Sequence, residues 1–260
     1  MTMSSLSEPK FATKPDCQLN ALWLTLNPSL KRLDQRVLCQ LYRRTKIHRW
    51  EYHQTPDEPC CLETIIGYLH ETLTTQAQPL HLLGHGISGT VALLYAQRYP
   101  QHVRSLTLLA VGQSPGVTWH SHYYAMRELL PCDRHVLLSH LARMMLGNFC
   151  PHVINGFAKL LELDLDEGFA PHSLAGITSI DAQSVEPPVL VCYGQHDLIL
   201  SPQNYTTTDC WLKPTDQIWQ CPEGKHFFHF AAPEQVAKRI YDYWQNLPNH
   251  THAALAGHRE

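Results

Sequence analysis

The sequence predicts an α/β fold in which helices cover both faces of a mostly parallel, twisted sheet. Patterns of buried strands alternate with patterns of amphipathic helices along most of the chain, as is typical of parallel sheets. Of the 260 residues, 44% are hydrophobic, enough to bury the core of one α/β domain with an insertion. Between Leu80 and Tyr99, a short apolar strand pattern passes through a glycine-rich corner directly into a helix pattern. We therefore expect one domain organised around that corner.

The alternation begins after a polar N-terminal segment. Residues 1–19 contain two prolines and are predicted to form a flexible lead. Beyond them, continuous apolar runs predict strands, and apolar residues with helical spacing predict helices. The elements expected before the corner are strands over 21–26 and 47–52 and helices over 30–43 and 62–75.

After the corner, the alternation continues, lapses and returns. Residues 112–186 have only helix patterns and are predicted to be a lid inserted into the fold. The core is expected to combine residues 20–111 with 187–247, and residues 248–260 are predicted to be a disordered tail. The expected elements are a helix over 90–99, a strand over 103–111, lid helices over 123–130, 134–146 and 153–163, strands over 188–193 and 217–220, and a helix over 233–246.

The composition excludes several classes of partner. The formal net charge is -3, and basic and acidic residues are interspersed, so no basic patch for nucleic acid is expected. No apolar run approaches the roughly 20 residues that a transmembrane helix needs. The nine cysteines are an odd number without a C-x-x-C pair or a signal-peptide pattern, which indicates mostly buried thiols in a reducing compartment. We expect a soluble, cytoplasmic protein with no transmembrane segment.

Two interpretations fit the corner, which reads Gly84-His85-Gly86-Ile87-Ser88. It has the form of G-x-S-x-G, a strand-to-helix turn with a strained central residue, and glycine tolerates that strain because it lacks a Cβ. With Gly89, the glycine spacing also fits the G-x-G-x-x-G turn of dinucleotide-binding folds. That turn normally follows the first strand and is answered by an acidic residue about 20 positions later. Residues 98–118 contain no Asp or Glu, so the first interpretation is favoured and no cofactor is predicted.

Two further motifs follow the predicted lid. The segment from Val189 to Asp197 ends a buried strand with Gly-x-x-Asp, and the segment Pro222-Glu-Gly-Lys-His226-Phe precedes the last helix pattern. With the corner, they resemble the acid loop and the histidine loop of the α/β-hydrolase superfamily. Gly86, Asp197 and His226 stand in that family's order of nucleophile, acid and histidine. The resemblance implies that Asp197 orients His226 and that glycine occupies the position of the nucleophile.

The missing hydroxyl has a direct consequence for catalysis. Gly86 offers nothing for the histidine to activate, so the acid–histidine pair is predicted to be vestigial. Ser88, Cys192 and Cys221 are the alternative nucleophiles. Ser88 is expected to cap or pack in the first helical turn, and neither cysteine lies in a sequence setting that lowers a thiol pKa.

The resemblance assigns one donor of the oxyanion hole and leaves two alternatives for the other. In the family, one donor is the N–H after the nucleophile, here that of Ile87, and the other comes from the loop after an early strand. That loop corresponds to Leu26-Asn27-Pro28. If Pro28 occupies the donating position, the donor is missing because proline has no N–H. If the alignment shifts by one residue, Ser29 donates instead.

Six residues around the corner and in the predicted lid are expected to contact a ligand, although aromatic residues in a helical insertion can also simply pack against the sheet. The lid histidines lack the one-turn spacing of a helical zinc pair, since His120 and His122 are two apart and His135 and His140 are five apart, so no metal is predicted. The expected ligand-binding residues are Asn27, His85, Gly86, Ile87, Trp119 and Tyr123.

These features predict a protein that has lost serine-hydrolase activity and acts as a ligand-binding, scaffold or regulatory protein. Its partner would be a small hydrophobic molecule or a protein bound under the lid. The alternative is a hydrolase or lyase that acts on a small hydrophobic ester or ketone through His226 and Asp197 without a serine at the corner.

Overall fold

The computed structural model describes residues 20–55, 57, 61–168, 180, 184–200 and 212–248. The described residues form one six-stranded sheet in the order β2-β1-β3-β4-β5-β6, and each neighbouring pair is parallel. Strands buried on both faces have nearly continuous apolar sequences, as this sheet requires. The strands are β1 (Ala21–Thr25), β2 (Ile47–Glu51), β3 (Leu80–His85), β4 (Val103–Leu109), β5 (Val189–Gly194) and β6 (Gln217–Cys221).

Helices cover both faces of the sheet. On one face, α2 and α3 contribute Ile65, Leu69 and Tyr95 to the core, and on the other, α1 and α8 contribute Val37 and Ile240. The helices α4, α5 and α6 enclose a third apolar cluster. The helices are α1 (Gln35–Tyr42), α2 (Leu62–Thr74), α3 (Ile87–Arg98), α4 (Trp119–Leu129), α5 (Arg134–Leu146), α6 (Pro151–Glu167), α7 (Phe228–Ala231) and α8 (Pro233–Gln245), with 3-10 turns at Pro28–Leu30 and Pro100–His102.

Two helices, α1 and α4, begin four or more residues away from the positions that the sequence predicts. The helix expected from residue 30 consists of a 3-10 turn followed by α1, which starts only at Gln35. The helix expected from residue 123 starts at Trp119, because Thr118 and Ser121 form a capping box that satisfies the first N–H groups of α4. Local capping chemistry, rather than apolar spacing, therefore sets the beginning of α4.

The predicted lid lies between β4 and β5, where the structure has the consecutive helices α4, α5 and α6. Residues 169–179 and 181–183 of that segment lie outside the described residues, as do the predicted lead, 1–19, and most of the predicted tail. No helix within the described ranges has the length and apolar character that a membrane span requires.

The order of the strands determines where a ligand site can form. From β1 the chain moves outward to β2 and then returns to β3 on the other side of β1, so the direction of winding reverses between β1 and β3. Ligands of open α/β sheets bind beyond the carboxyl ends of the strands at such a reversal. Leu24 of β1 is paired with Gly84 of β3, which places the loop after β1 beside the glycine-rich corner.

The corner depends on a close approach between β3 and α3. A Cβ on Gly84 would lie 2.5 Å from the backbone N of Gly89 and 2.5 Å from the backbone C of Ser88. A Cβ on Gly89 would in turn collide with Val111. Since the obstructing atoms at Gly84 belong to the backbone, only a shift of the strand against the helix could make room.

We expect Gly84→Ala to lower the free energy of unfolding by about 1–3 kcal/mol, the usual cost of overpacking a core. Urea denaturation measures the change. The matched control is Gly67→Ala in α2, where a Cβ would have no heavy atom within 4 Å. That control should raise stability by up to about 1 kcal/mol, because alanine is the better helix former. Equal effects at the two positions would contradict the close-approach argument.

Candidate active site

Gly86 lies at the turn between β3 and α3 and has an unusual backbone conformation. Its φ is 53° and its ψ is -125°, a left-handed region that side chains disfavour. Its N–H donates to the carbonyl of Leu109 at 2.8 Å, which holds the turn against β4. The next residue after β4, Ala110, also has a positive φ, of 49°. Strained residues of this kind concentrate at functional sites.

The space beside Gly86 is open on the side where a side chain would project. A Cβ built on this residue would have nothing within 4 Å, in contrast to the crowded positions at Gly84 and Gly89. A side chain at residue 86 would therefore be disfavoured by the backbone conformation and not by a lack of space.

Asp197 and His226, which the sequence predicts to form a pair, are hydrogen-bonded and buried. The distance from His226 Nδ1 to Asp197 Oδ2 is 2.9 Å. The second carboxylate oxygen accepts the N–H groups of Ile199 at 2.9 Å and Leu200 at 3.1 Å. Burial would raise the pKa of Asp197, but the imidazole and the two N–H groups outweigh that effect and hold the pKa below its ordinary value. A carboxylate only accepts, so the neutral imidazole carries its hydrogen on Nδ1 and keeps a basic Nε2.

His85, in the glycine-rich corner, fixes the backbone of His226. Its Nε2 donates to the carbonyl of His226 at 3.0 Å, and its ring stacks on Phe227 with centroids 4.7 Å apart. Burial has the largest effect on the pKa of His85 and lowers it well below its ordinary value. The charges of His229 and His226 act in the same direction. A neutral His85 with its hydrogen on Nε2 therefore anchors the loop that bears His226.

A second buried imidazole makes stability sensitive to acid. Burial, followed by the charge of Arg104, lowers the pKa of His81 from 6.5 to about 3. The unfolded chain then binds a proton that the folded chain does not, so stability is complete above pH 6.5 and falls as the pH drops below it. The slope is about 1.4 kcal/mol per pH unit for each such group. His85 contributes in the same direction.

Between pH 6.5 and 4.5, the free energy of unfolding of the unchanged protein should fall further than that of His81→Phe. The difference between the two decreases should be about 2–3 kcal/mol. Phenylalanine keeps the stacking on Trp244 but cannot titrate. Urea denaturation across this range gives both curves. The lost bond to Ser105 lowers stability equally at every pH, and the two curves should run parallel between pH 7.5 and 8.5. Parallel curves below pH 6.5 as well would show that His81 is protonated in the folded state.

Another acid–imidazole pair lies behind the corner. Asp34 accepts the indole N–H of Trp23 at 3.0 Å and lies 3.2 Å from Nε2 of His229. The ring of His229 is 4.6 Å from that of His85. Asp34 immediately precedes α1, but its carboxylate makes no capping bond, since these two partners occupy it.

The third pair, His120 and Asp164, joins two helices and has no motif that would predict it from the sequence. Nε2 of His120 in α4 is 3.0 Å from Oδ2 of Asp164 in α6, and the Asp164 side chain is completely buried. Asp164 also accepts hydrogen bonds from the amide of Asn27 at 3.0 Å and from the hydroxyl of Ser29. One carboxylate thus joins α4 and α6 to the loop after β1.

The three pairs surround one pocket of about 70 Å³ at the carboxyl ends of β1, β3 and β4. Most of its wall is apolar. Five of the six residues predicted to bind a ligand line it, namely Asn27, His85, Gly86, Ile87 and Trp119. Tyr123 is buried in the cluster between α4, α5 and α6 and is not among the lining residues. The other lining residues are Trp23, Leu24, Thr25, Leu30, Asp34, Ser88, Thr90, Ala110, Val111, Gly112, Ser114, Pro115, Val117, Thr118, His120, Leu200, His226 and Phe227.

The loop after β1, which bears one candidate oxyanion donor, reaches the pocket at one residue. Neither Pro28 nor Ser29 lines the pocket, whereas Asn27 does. Asn27 is therefore the residue through which the loop after Leu26 reaches the pocket wall. Ile87 is the first residue of α3, so its N–H has no partner within the helix.

The alternative nucleophiles are occupied or unreactive. Ser88 accepts the N–H of Leu26 at 3.0 Å and so ties α3 to the end of β1. Burial raises the pKa of the Cys192 thiol and raises that of Cys221 to about 11, which disfavours the thiolate at neutral pH. The expectation of mostly buried thiols is wrong for the described cysteines, because Cys39, Cys61 and Cys150 are exposed and Cys132 is half-buried.

The histidines of the described segments do not converge on a common centre for a metal. Within the described ranges, no group of three or more His, Cys, Asp or Glu side chains is arranged to hold an ion. His120, which the sequence places two residues before His122, faces Asp164, whereas Nδ1 of His122 contacts the carbonyl of Thr118 at 2.9 Å.

Two sequences and two solved structures show what the chain is similar to. The uncharacterized protein sll0249 of Synechocystis sp. is 38% identical over 226 residues, covering 87% of this chain and 90% of that protein. The uncharacterized protein alr2406 of Nostoc sp. is 34% identical over 230 residues, covering 87% and 91%. A hydrolase from Pseudomonas aeruginosa matches with a TM-score of 0.69 at 19% identity, covering 89% of this chain and 91% of that one. The enol-lactonase from Burkholderia xenovorans also has a TM-score of 0.69, at 16% identity, covering 89% and 92%.

No protein-family model matches the chain. The structural similarities extend over nearly the whole of each chain, and they confirm the α/β-hydrolase fold that the sequence predicts.

Proposed function

Since this chain belongs to the family of sll0249 and alr2406 and has the α/β-hydrolase fold, we propose that it binds a compact, uncharged small molecule above Gly86 without forming an acyl-enzyme. The observation that carries the proposal is Gly86 itself. It keeps the backbone conformation of a strained corner beside open space, but it has no atom that could attack a substrate.

The pocket wall supports an uncharged ligand. Its described residues include neither Lys nor Arg, so a carboxylate or phosphate would be buried without a permanently charged partner. Trp23, Leu30, Val111, Pro115 and Phe227 give much of the wall its apolar surface. The volume of about 70 Å³ favours a compact molecule over a long acyl chain.

The absence of an acyl-enzyme is tested with a serine-directed fluorophosphonate and a panel of acyl esters. We expect no covalent labelling, and no ester turnover faster than that of His226→Ala. Labelling at any serine, or turnover that disappears in His226→Ala, would contradict this part of the proposal.

Binding is tested by thermal denaturation with a set of small uncharged compounds. A bound compound at about 100 times its Kd should raise the Tm by about 5 °C or more. Val117→Trp fills the pocket and should abolish the shift. Val136→Trp, the same change on the exposed face of α5, should leave it intact. A shift that survives Val117→Trp would place the ligand elsewhere.

The buried Asp197–His226 pair favours a second candidate function, general-base catalysis without a covalent nucleophile. Asp197 is held by three hydrogen bonds, so Nε2 of His226 has a fixed direction from which it can take a proton from water or from the substrate. The substrate would be a small hydrophobic ester or ketone. Turnover of such a compound that is lost in His226→Ala, with no fluorophosphonate labelling, would distinguish this function from binding alone.

A further inference from the structure

Two residues that line the pocket each have a buried polar atom without a hydrogen-bond partner among the described residues. The two atoms are Oγ1 of Thr25 and Nε1 of Trp119, and the residues are only 3% and 4% exposed. Both residues line the pocket. Buried polar groups in native proteins nearly always have a partner, so each exception calls for an explanation.

The two residues reach the pocket from different parts of the fold. Thr25 is the last residue of β1 and belongs to the carboxyl edge of the sheet. Trp119 is the first residue of α4, and its ring lies against that of His120 with centroids 3.9 Å apart. Since His120 contacts the buried carboxylate of Asp164, the beginning of α4 is fixed relative to β1. Both polar atoms are covered by protein in this structure, so a ligand reaches them when the two side chains turn toward the pocket.

The chemistry of the two groups defines what they can recognise. An indole N–H only donates, so Trp119 requires an acceptor. A threonine hydroxyl can donate or accept, so Thr25 accommodates either partner. A carbonyl or a hydroxyl oxygen meets both requirements. An amine that is protonated at neutral pH offers no acceptor to Trp119.

We propose that Thr25 and Trp119 form a hydrogen-bonding subsite for an uncharged oxygen, so that the ligand is a compact ketone or alcohol. This inference rests on the proposed function, because it names the class of molecule that the pocket binds. The lack of Lys and Arg in the described wall distinguishes an uncharged oxygen from a carboxylate.

The test uses four probes with the same ring: cyclopentanone, cyclopentanol, cyclopentane and cyclopentanecarboxylate. Binding is followed by NMR of protein labelled with ¹⁵N in its tryptophan indoles and ¹³C in its isoleucine methyls, with the Trp119 signal assigned from Trp119→Phe. Ile87, which also lines the pocket, reports occupancy independently. We expect cyclopentanone and cyclopentanol to shift the indole N–H of Trp119, and cyclopentane to shift only the Ile87 methyl signals.

The variants separate hydrogen bonding from packing. Trp119→Phe and Thr25→Val should each weaken binding of cyclopentanone by about 5-fold, the usual value of one hydrogen bond, and leave cyclopentane within twofold. Matched controls are Trp244→Phe and Thr107→Val, which remove the other buried indole nitrogen and threonine hydroxyl without a described partner, away from the pocket. These controls should not change the affinity of any probe.

A merely structural role predicts a different result for stability. Because the two groups have no described partner, Thr25→Val should leave the Tm unchanged or raise it while it weakens cyclopentanone binding. Trp119→Phe also removes part of a buried ring, so it should lower the Tm by no more than Trp244→Phe does. A lower Tm with unchanged probe affinity would assign them to packing and overturn the inference.

The remaining outcomes distinguish the inference from the function on which it rests. Equal affinity for cyclopentane and cyclopentanone, or tighter binding of cyclopentanecarboxylate, overturns the subsite while pocket binding stands. If no probe shifts any signal of the pocket, and no uncharged compound raises the Tm in the thermal test, the proposed binding function itself fails.

Discussion

Replacing Gly86 by serine is expected to give the protein esterase activity. The serine Cβ has no heavy atom within 4 Å at this position, and the new side chain enters the pocket that His226 also lines. His226 is already oriented by Asp197, so the substitution supplies the hydroxyl that the pair can deprotonate. We expect the rate of p-nitrophenyl acetate hydrolysis to rise by about 100-fold or more, since loss of such a nucleophile typically costs far more than that.

The matched control is Gly86→Ala, which has the same backbone strain but no hydroxyl. Both variants should lose about 1–3 kcal/mol of stability, because a Cβ is disfavoured at a φ of 53°. Only the serine variant should hydrolyse the ester and react with a fluorophosphonate, and adding His226→Ala should abolish both. Equal activity of the serine and alanine variants would mean that residue 86 is not positioned for attack.

The oxyanion hole affects the size of this gain. Pro28 lies outside the pocket wall, so its missing N–H does not in itself remove a donor. Asn27 and Ile87 both line the pocket, and we propose their backbone N–H groups as the pair of donors. We therefore expect the single substitution to suffice, without a second replacement at Pro28.

Removal of the Asp164 carboxylate is expected to destabilise the protein strongly. Its side chain is completely inaccessible to solvent, and it contacts His120, Asn27 and Ser29. Asp164→Ala would leave these groups without their buried acceptor, which typically costs about 3–5 kcal/mol. In thermal denaturation, this corresponds to a decrease in Tm of about 10 °C.

The control for Asp164 lies in the same helix. Asp166 is 55% exposed and contacts Arg134 at 2.6 Å, a surface ion pair of the kind that contributes about 1 kcal/mol or less. Asp166→Ala should therefore change the Tm by only a few degrees. Similar losses for the two alanine variants would show that Asp164 does not hold the segments together.

Much of the fold could be predicted because local signals and tertiary structure agree. The strand predicted over 103–111 is β4 (Val103–Leu109), and the last helix, predicted over 233–246, is α8 (Pro233–Gln245). Both are defined by their own apolar pattern. The start of α1 differs, and the residue before it, Asp34, contacts Trp23 and the distant His229 and does not cap the helix.

The site could be predicted only where a motif marked both partners. The contact between Asp197 and His226 is predicted because each residue lies in a loop with a recognisable motif. The contact between His120 and Asp164 joins two helices, and neither residue lies in a motif. A local signal for Asp164 does exist. In α6 it follows Ile154, Phe157 and Leu161 at helical spacing, so a carboxylate occupies a core-facing position. Because a buried carboxylate requires hydrogen-bond donors, an acid at this position predicts a buried hydrogen-bond network, although not its members.

The same need could not identify the partner or the ligand. The pairing of His120 with Asp164 depends on how α4 packs against α6, and Thr25 and Trp119 come together only through the pocket. Sequence spacing within one element does not contain that information.

The conformation of Gly86 has a consequence for how this protein could change in the course of evolution. Some glycine and serine codons differ by one nucleotide, and the backbone around residue 86 already has the shape and the free space for the larger residue. A point mutation at this codon would add a reactive oxygen without rebuilding the surrounding loops. A single substitution at residue 86 would therefore separate the proposed binding protein from a serine hydrolase on the same scaffold.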